Sequence, residues 1–190
     1  FSDFFRIFLQ KKSKGMWLDT DVFIFRPFSY DTDQFYYCHE GKGRIGYPVI
    51  YLPNDHPIIE EYENLLKQDT LMPNWLGFKR GKLRPFIWNL LSLDYSPSDL
   101  GITIYGNDGF SRLTKRHNCF HEAKSKDLFF HWTGKETDKL FKKENFNFFL
   151  NDSKYLGIHI HRKHWEKYPI VPDSFWGWAL SKYGDEIDCN

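Results

Sequence analysis

Apolar residues recur along this chain with two periods, and the changes of period lay out its elements. Phe4, Phe5, Phe8 and Leu9 share one face of a helical projection, with Ser2 placed to cap it and Phe1 extending the stripe. Asp3 and Arg6 stand three apart off that face, where they can meet each other or one ligand. Lys11, Lys12 and Lys14 suit a helix C-terminus, and Gly15 a stop. Short buried strands are then expected over 16–18 and 22–25, the second ended by Arg26-Pro27, and a further strand over 47–52. Asp55-His56-Pro57 opens a helix whose stripe is Ile58, Ile59, Tyr62, Leu65 and Leu66.

Beyond it, residues 71–84 read as a loop, 85–93 as a helix and 100–105 as a strand broken by the turn signal Gly106-Asn107-Asp108-Gly109. Strands over 127–132 and 155–161, an amphipathic helix over 136–150 and a closing helix over 173–187 complete the pattern. Mixed elements of this kind predict an α/β fold in one domain, with no repeat, linker or low-complexity tract.

Composition narrows the function classes. The 190 residues carry 26 basic and 25 acidic side chains, a balance that gives nucleic acid no electrostatic footprint. Aromatic residues make up 19% of the chain; such rings fill cores and also serve as platforms for sugars. Cys38, Cys119 and Cys189 are too few and too scattered for a disulfide framework or a zinc ribbon, which favours a reducing compartment. No apolar stretch is long enough to span a bilayer. The chain opens without Met directly into a helical pattern, so an upstream segment is expected, an anchor or targeting sequence included.

The chemistry concentrates at Asp19-Thr20-Asp21, set between Met16-Trp17-Leu18 and Val22-Phe23-Ile24-Phe25. Carboxylates in an apolar setting need a partner, and two on one strand face can share a hard divalent cation together with a phosphate. His131-Trp132-Thr133-Gly134-Lys135 is a second constellation. A histidine at a strand end can supply nitrogen to the same metal, Gly134 lets backbone approach a phosphate and Lys135 neutralises it. His159 and His161 share a strand face and compete with His131, as does His164. Lys79, Arg80, Lys82 and Arg84 form a basic loop, read either as a solvated face or as a greeting for an anion.

Ser2-Asp3-Phe4-Phe5-Arg6, a lysine-rich helix end, and Gly15-Met16-Trp17-Leu18-Asp19-Thr20-Asp21-Val22 together resemble the signature of the DXD-containing sugar transferases. That group includes family 32 glycosyltransferases, capsule and lipopolysaccharide sugar transferases and the catalytic domains of large clostridial toxins. Their shared pattern is S-D-x-x-R followed by G-G-x-Y-x-D-x-D. Lys14-Gly15 stands here for the glycine pair and Trp17 for the usual tyrosine, neither of them a metal ligand. The close resemblance spans residues 2–28.

The resemblance implies a GT-A-like fold, a Rossmann-like mixed sheet flanked by helices, whose nucleotide-binding βαβ part would precede this chain. It implies a nucleotide-sugar donor with Mn²⁺ or Mg²⁺ held by Asp19 and Asp21, joined by His131, whose H-x-x-G-K order is similar to an element of metal-dependent retaining transferases. Asp3, Arg6, Asp108, Gly134 and Lys135 would then bind the donor. The expected reaction is transfer of the sugar, with retention, to a hydroxyl of a carbohydrate, lipid-linked or protein acceptor, in surface polysaccharide or glycan synthesis. No catalytic nucleophile is evident.

The expected location is the cytoplasm or the cytoplasmic face of the membrane for a bacterial protein, and the Golgi lumen for a eukaryotic one anchored upstream. Two alternatives stand beside this: a non-catalytic nucleotide-sugar or carbohydrate-binding module, and a metal-dependent phosphate-transfer enzyme using the same two aspartates.

Overall fold

A computed structural model describes residues 2–101, 103–132, 134–160 and 169–184. In chain order its elements are α1 (Ser2–Lys11), β1 (Trp17–Leu18), β2 (Val22–Ile24), β3 (Tyr36–Gly41), β4 (Arg44–Tyr51), α2 (Pro57–Leu66), α3 (Arg84–Leu90), α4 (Asn107–Arg116), α5 (Phe146–Leu150), β5 (Gly157–His159) and α6 (Phe175–Tyr183). The expected α/β class holds in its general form: helices accompany two small antiparallel sheets. Contacts gather the chain into two compact units, Phe1–Leu18 with Tyr30–Ser125, and Asp19–Ser29 with Lys126–Asn190. No helix among the described residues is long and apolar enough to cross a membrane.

The first unit is organised by β4, the middle strand of a sheet ordered β1-β4-β3. Residues 45–51 are all buried, as a central strand covered on both faces requires. Lys42 and Gly43 both take positive φ (53° and 70°) and link β3 to β4 as a two-residue hairpin turn, with Gly41 opposite Arg44. Pro48 sits in this central strand because the ladder is interrupted there: Ile50 faces Tyr37, but the next pair is Gly46 with Cys38. A strand proline is tolerated at such a bulge. The backbone of Lys124 joins the sheet beside the interruption, donating to Tyr37 O at 2.9 Å and accepting from His39 N at 3.0 Å.

α1 turns a different face inward from the one its aromatic residues suggest. Ile7 and Gln10 are its buried residues, while Phe5 is exposed, so the side bearing Asp3, Arg6, Ile7 and Gln10 meets the core. The polar members are accommodated by hydrogen bonds: Gln10 Oε1 accepts from Leu52 N at 3.1 Å, just beyond the end of β4. α2 forms as expected, with Pro57 in its first turn and the His56 ring accepting from Ile58 N; Ile58, Ile59, Tyr62 and Leu65 are buried. α4 lies against β4, and Phe110 and Leu113 complete a core that includes Tyr37, Tyr47 and Tyr62.

The second unit is built on β2 and β5, paired antiparallel with Val22 opposite His159 and Ile24 opposite Gly157. Its core gathers Trp132, Leu140, Phe141, Tyr155, Ile158 and Phe175. Ser174 caps α6 by accepting from Gly177 N at 3.1 Å. That helix lies within the expected 173–187.

Several expected elements change type. The described residues of the stretch 100–105 form no strand: Gly101 has φ +133°, and the carbonyls of Thr103 and Ile104 are taken by other donors. Ile104 O accepts from Trp75 Nε1 at 2.9 Å, and Thr103 O from the amides of Asp108 and Gly109, both at 3.2 Å. The Gly106–Gly109 turn signal instead begins α4. The expected strand over 127–132 is a 3₁₀ turn at Lys126–Leu128 followed by irregular chain; the carbonyls of Leu128 and Phe129 accept from Leu156 N and His159 N of the β5 segment. The helix expected over 136–150 divides into 3₁₀ stretches and α5, because Lys142 is extended (φ −100°, ψ 131°). The expected loop at 71–84 contains a π-helical turn at Lys79–Leu83 that runs directly into α3.

Candidate functional site

In the second unit, Asp19-Thr20-Asp21 occupies a reverse turn rather than a continuous strand, closed by Val22 N donating to Asp19 O at 3.0 Å. The turn leads straight into β2, and Ile160 N donates to Asp21 O at 2.8 Å, fixing the backbone against the end of β5. Antiparallel pairing puts His159 opposite Val22, next to Asp21. The His159 Nε2 atom lies 3.4 Å from Asp21 Oδ2. The imidazole is buried and the carboxylate exposed. His159 is held by its backbone N, which donates to Phe129 O at 2.8 Å, and by the ring of Phe130 set across it at 5.7 Å.

His131 is engaged elsewhere in the same unit. Its Nδ1 lies 3.1 Å from Asp127 Oδ1, and its ring stacks on Phe148 at 4.9 Å. Among the described histidines, His159 is the one that lies against Asp21, and its signal in the sequence was the alternation of 155–161, which put an imidazole on one strand face. Among the described residues, no three His, Cys, Asp or Glu side chains converge as a metal-ligating group. Asp21 and His159 nevertheless offer carboxylate oxygen and imidazole nitrogen, a donor set that suits Mn²⁺. Gly134 begins a 3₁₀ stretch, Gly134–Phe141. The side chain of Lys135, together with Thr133, His161, His164 and Cys189, lies outside the described residues.

In the first unit, Asp3 and Arg6 are turned onto the sheet by the inward face of α1. The Arg6 guanidinium lies over two aromatic rings, 5.0 Å from Tyr47 and 5.5 Å from Trp17. Cation–π contact of this kind fixes the position of the charge, and Arg6 Nη1 also donates to Tyr47 O at 3.5 Å. Tyr47 is fully buried and donates through its hydroxyl to Asp3 O at 2.8 Å; burial holds the phenol well above its ordinary range. The Asp3 carboxyl is raised by burial, with Arg6 opposing. It lies against Gly106, where a Cβ would come within 3.0 Å of Oδ1, so a glycine is what lets this carboxyl approach the start of α4.

Asp108 has arginine partners. Its carboxylate pairs with Arg80 and lies 3.2 Å from Arg112 Nε. Burial alone would raise its pKa, but the hydrogen bonds and charge of Arg80 and Arg112 hold it below the usual value. This ties the π-helical turn to α4. Asp3, Arg6 and Asp108 thus share the first unit, while Asp19, Asp21, His131 and Gly134 share the second.

Comparison with models of protein families, with curated proteins and with solved structures gives no match for this chain.

Proposed function

We propose that the chain is part of a metal-dependent glycosyltransferase that moves a sugar from a nucleotide-sugar donor to an acceptor hydroxyl. The reading rests on one observation above others: the second aspartate of the Asp-x-Asp turn stands exposed, 3.4 Å from the imidazole of His159. The S-D-x-x-R helix and the Gly-x-x-x-Asp-x-Asp pattern supply the sequence half of the argument. Mn²⁺ or Mg²⁺ is the cofactor of this reading, with Asp19, Asp21 and His159 as its ligands, His159 replacing His131 in that role. When bound, such a cation supplies Lewis-acid stabilisation of charge on a departing nucleoside diphosphate.

The residues of the chain have roles of their own in this reading. Asp21 and His159 are held by the β2–β5 backbone, so their donor atoms need little reorganisation on binding. Arg6, fixed over Tyr47 and Trp17, offers a preorganised cation to a phosphate or to the donor sugar, with Asp3 beside it for sugar hydroxyls. Asp108 and Lys135 belong to the donor set of the same proposal, and a GT-A-like arrangement and a role in surface-glycan synthesis go with it by analogy.

The test is isothermal titration with nucleoside diphosphate sugars in the presence and absence of Mn²⁺. The wild type is compared with an Asp19→Asn/Asp21→Asn double variant and with His159→Gln. Metal-dependent binding that the double variant loses and His159→Gln weakens is the expected result. Donor binding that ignores the metal, or survives in the double variant, refutes the reading.

A further inference from the structure

The segment around α3 has its hydrophobicity on the outside. Leu83, Phe86, Ile87 and Leu90 stand at i, i+3, i+4 and i+7, the spacing of a single helical stripe, and all four are exposed. Phe86 and Leu90 keep 65% and 72% of their surface in water, and Phe78 on the turn before them keeps 70%. The opposite side of the helix makes the core contact, through Trp88. Leu91 and Leu93 continue the exposed ridge. Scattered exposed leucines are ordinary, but a contiguous apolar ridge of this length marks a surface that meets something.

Charge indicates what it meets. Lys79, Lys82 and Arg84 are exposed on the same short segment, and no carboxylate occurs in the sequence between Asp69 and Asp94. A cleft of about 470 Å³ is lined by Gly77, Phe78, Lys79, Arg80, Arg84 and Arg112. Among the described residues, Asp108 pairs with Arg80 and Arg112 of these four cations. Two copies of the chain meeting face to face through this ridge would set the same cations against each other. An anionic bilayer satisfies both halves at once, taking the apolar ridge at the acyl boundary and the cations among lipid phosphates.

We propose that the Phe78–Leu93 segment is a membrane-surface anchor, lying in the interface of an anionic bilayer with Phe78, Phe86 and Leu90 inserted and Lys79, Lys82 and Arg84 on headgroup phosphates. The anchor lies on the membrane rather than crossing it. The anchor uses neither Asp21 nor His159, and none of its inserted or phosphate-facing residues belongs to the donor set, so its failure and that of the sugar-transfer reading are distinguishable.

The test is co-sedimentation of the whole chain with vesicles of phosphatidylcholine alone and of phosphatidylcholine mixed with phosphatidylserine. Phe86→Ser/Leu90→Ser and Lys79→Gln/Lys82→Gln/Arg84→Gln are the variants. Their side chains are exposed, and circular dichroism checks that each variant is folded. The wild type is expected to pellet with the mixed vesicles, to leave phosphatidylcholine alone in solution, and to be released by salt.

Loss of the three cations should weaken binding roughly 100-fold, at about fivefold per cation near the surface. Loss of the two apolar side chains should weaken it at least about 30-fold. Three results overturn the proposal: no pelleting with mixed vesicles, equal pelleting with both lipids, or undiminished binding by either variant. Sedimentation equilibrium showing a dimer that Phe86→Ser/Leu90→Ser dissolves, without vesicle binding, also overturns it and assigns the ridge to a second copy.

Discussion

His56 makes the stability of the first unit depend on acid in a way that can be isolated. Its Nδ1 accepts the Ile58 amide at 3.3 Å, so α2 is capped only while that nitrogen keeps its lone pair. Burial, and after it the charge of His117, press the imidazole down to about 4, with Asp55 opposing. An unfolded histidine titrates near 6.5, so between these values the unfolded chain holds the extra proton. The contribution is complete above about pH 6.5 and is lost as the pH falls toward about 4. The interval corresponds to about 3 kcal/mol, and the part of the ring that water reaches reduces this to about 2 kcal/mol.

His56→Asn keeps an N-cap acceptor that does not titrate in this range. Urea unfolding of both proteins across the interval gives the stability difference between them as a function of pH. That difference should move by about 2 kcal/mol in favour of the variant on acidification. A difference that stays constant from neutral pH to about pH 4 would refute the assignment of the cap to a neutral imidazole.

Three further outcomes follow from the first unit. Gly109→Ala would place a Cβ 2.0 Å from Ile104 O and 2.8 Å from Trp75 Nε1, so it should cost more than about 3 kcal/mol in thermal or urea unfolding; a cost below about 1 kcal/mol would mean the start of α4 is placed differently. Ser111→Ala leaves the buried Ile45 amide without its 2.8 Å acceptor and should cost about 1–3 kcal/mol, whereas an unchanged unfolding midpoint would contradict that hydrogen bond. Asp108→Asn weakens the hold on Arg80 and Arg112; it should cost about 1 kcal/mol, less at high salt, and speed amide exchange at 79–83, where unaltered exchange would show that the ion pair does not hold the π-helical turn.

What the sequence discloses and what it conceals divide along physical lines. α2 is legible because His56-Pro57 and a regular apolar stripe agree with its tertiary burial. α1 is legible as a helix but not in its orientation, since Gln10 and Arg6 face inward on the strength of hydrogen bonds and ring contacts that no hydrophobic pattern encodes. α4 is hidden by Gly106 and Gly109, which read as a turn. Gly109 is required instead for space, because Ile104 O occupies the position of its Cβ. β3 is hidden by the polar His39-Glu40-Gly41 at its end and by the interrupted ladder opposite Pro48.

At the candidate site the sequence leads to Asp21 but leaves His131 and His159 in competition as its imidazole partner. His131 and His159 both follow apolar runs, and only the pairing of β2 with β5 distinguishes them. The arginine-paired Asp108 shows the same limit, because its partner Arg80 is 28 positions away.

The interrupted ladder between β3 and β4 also sets an order of events in time. The Lys42-Gly43 turn brings Gly41 to Arg44 and His39 to Ile45 as neighbours in sequence, and contacts so local close rapidly. Zippering from that turn halts at the bulge, where three residues of β4 have no partner on β3. The carbonyl of Tyr37 and the amide of His39 find their partners only when Lys124 arrives, more than 80 positions later in the chain. Closing a loop of that length costs more entropy than closing the two-residue turn, so the Lys124 pairing is expected to form after the hairpin.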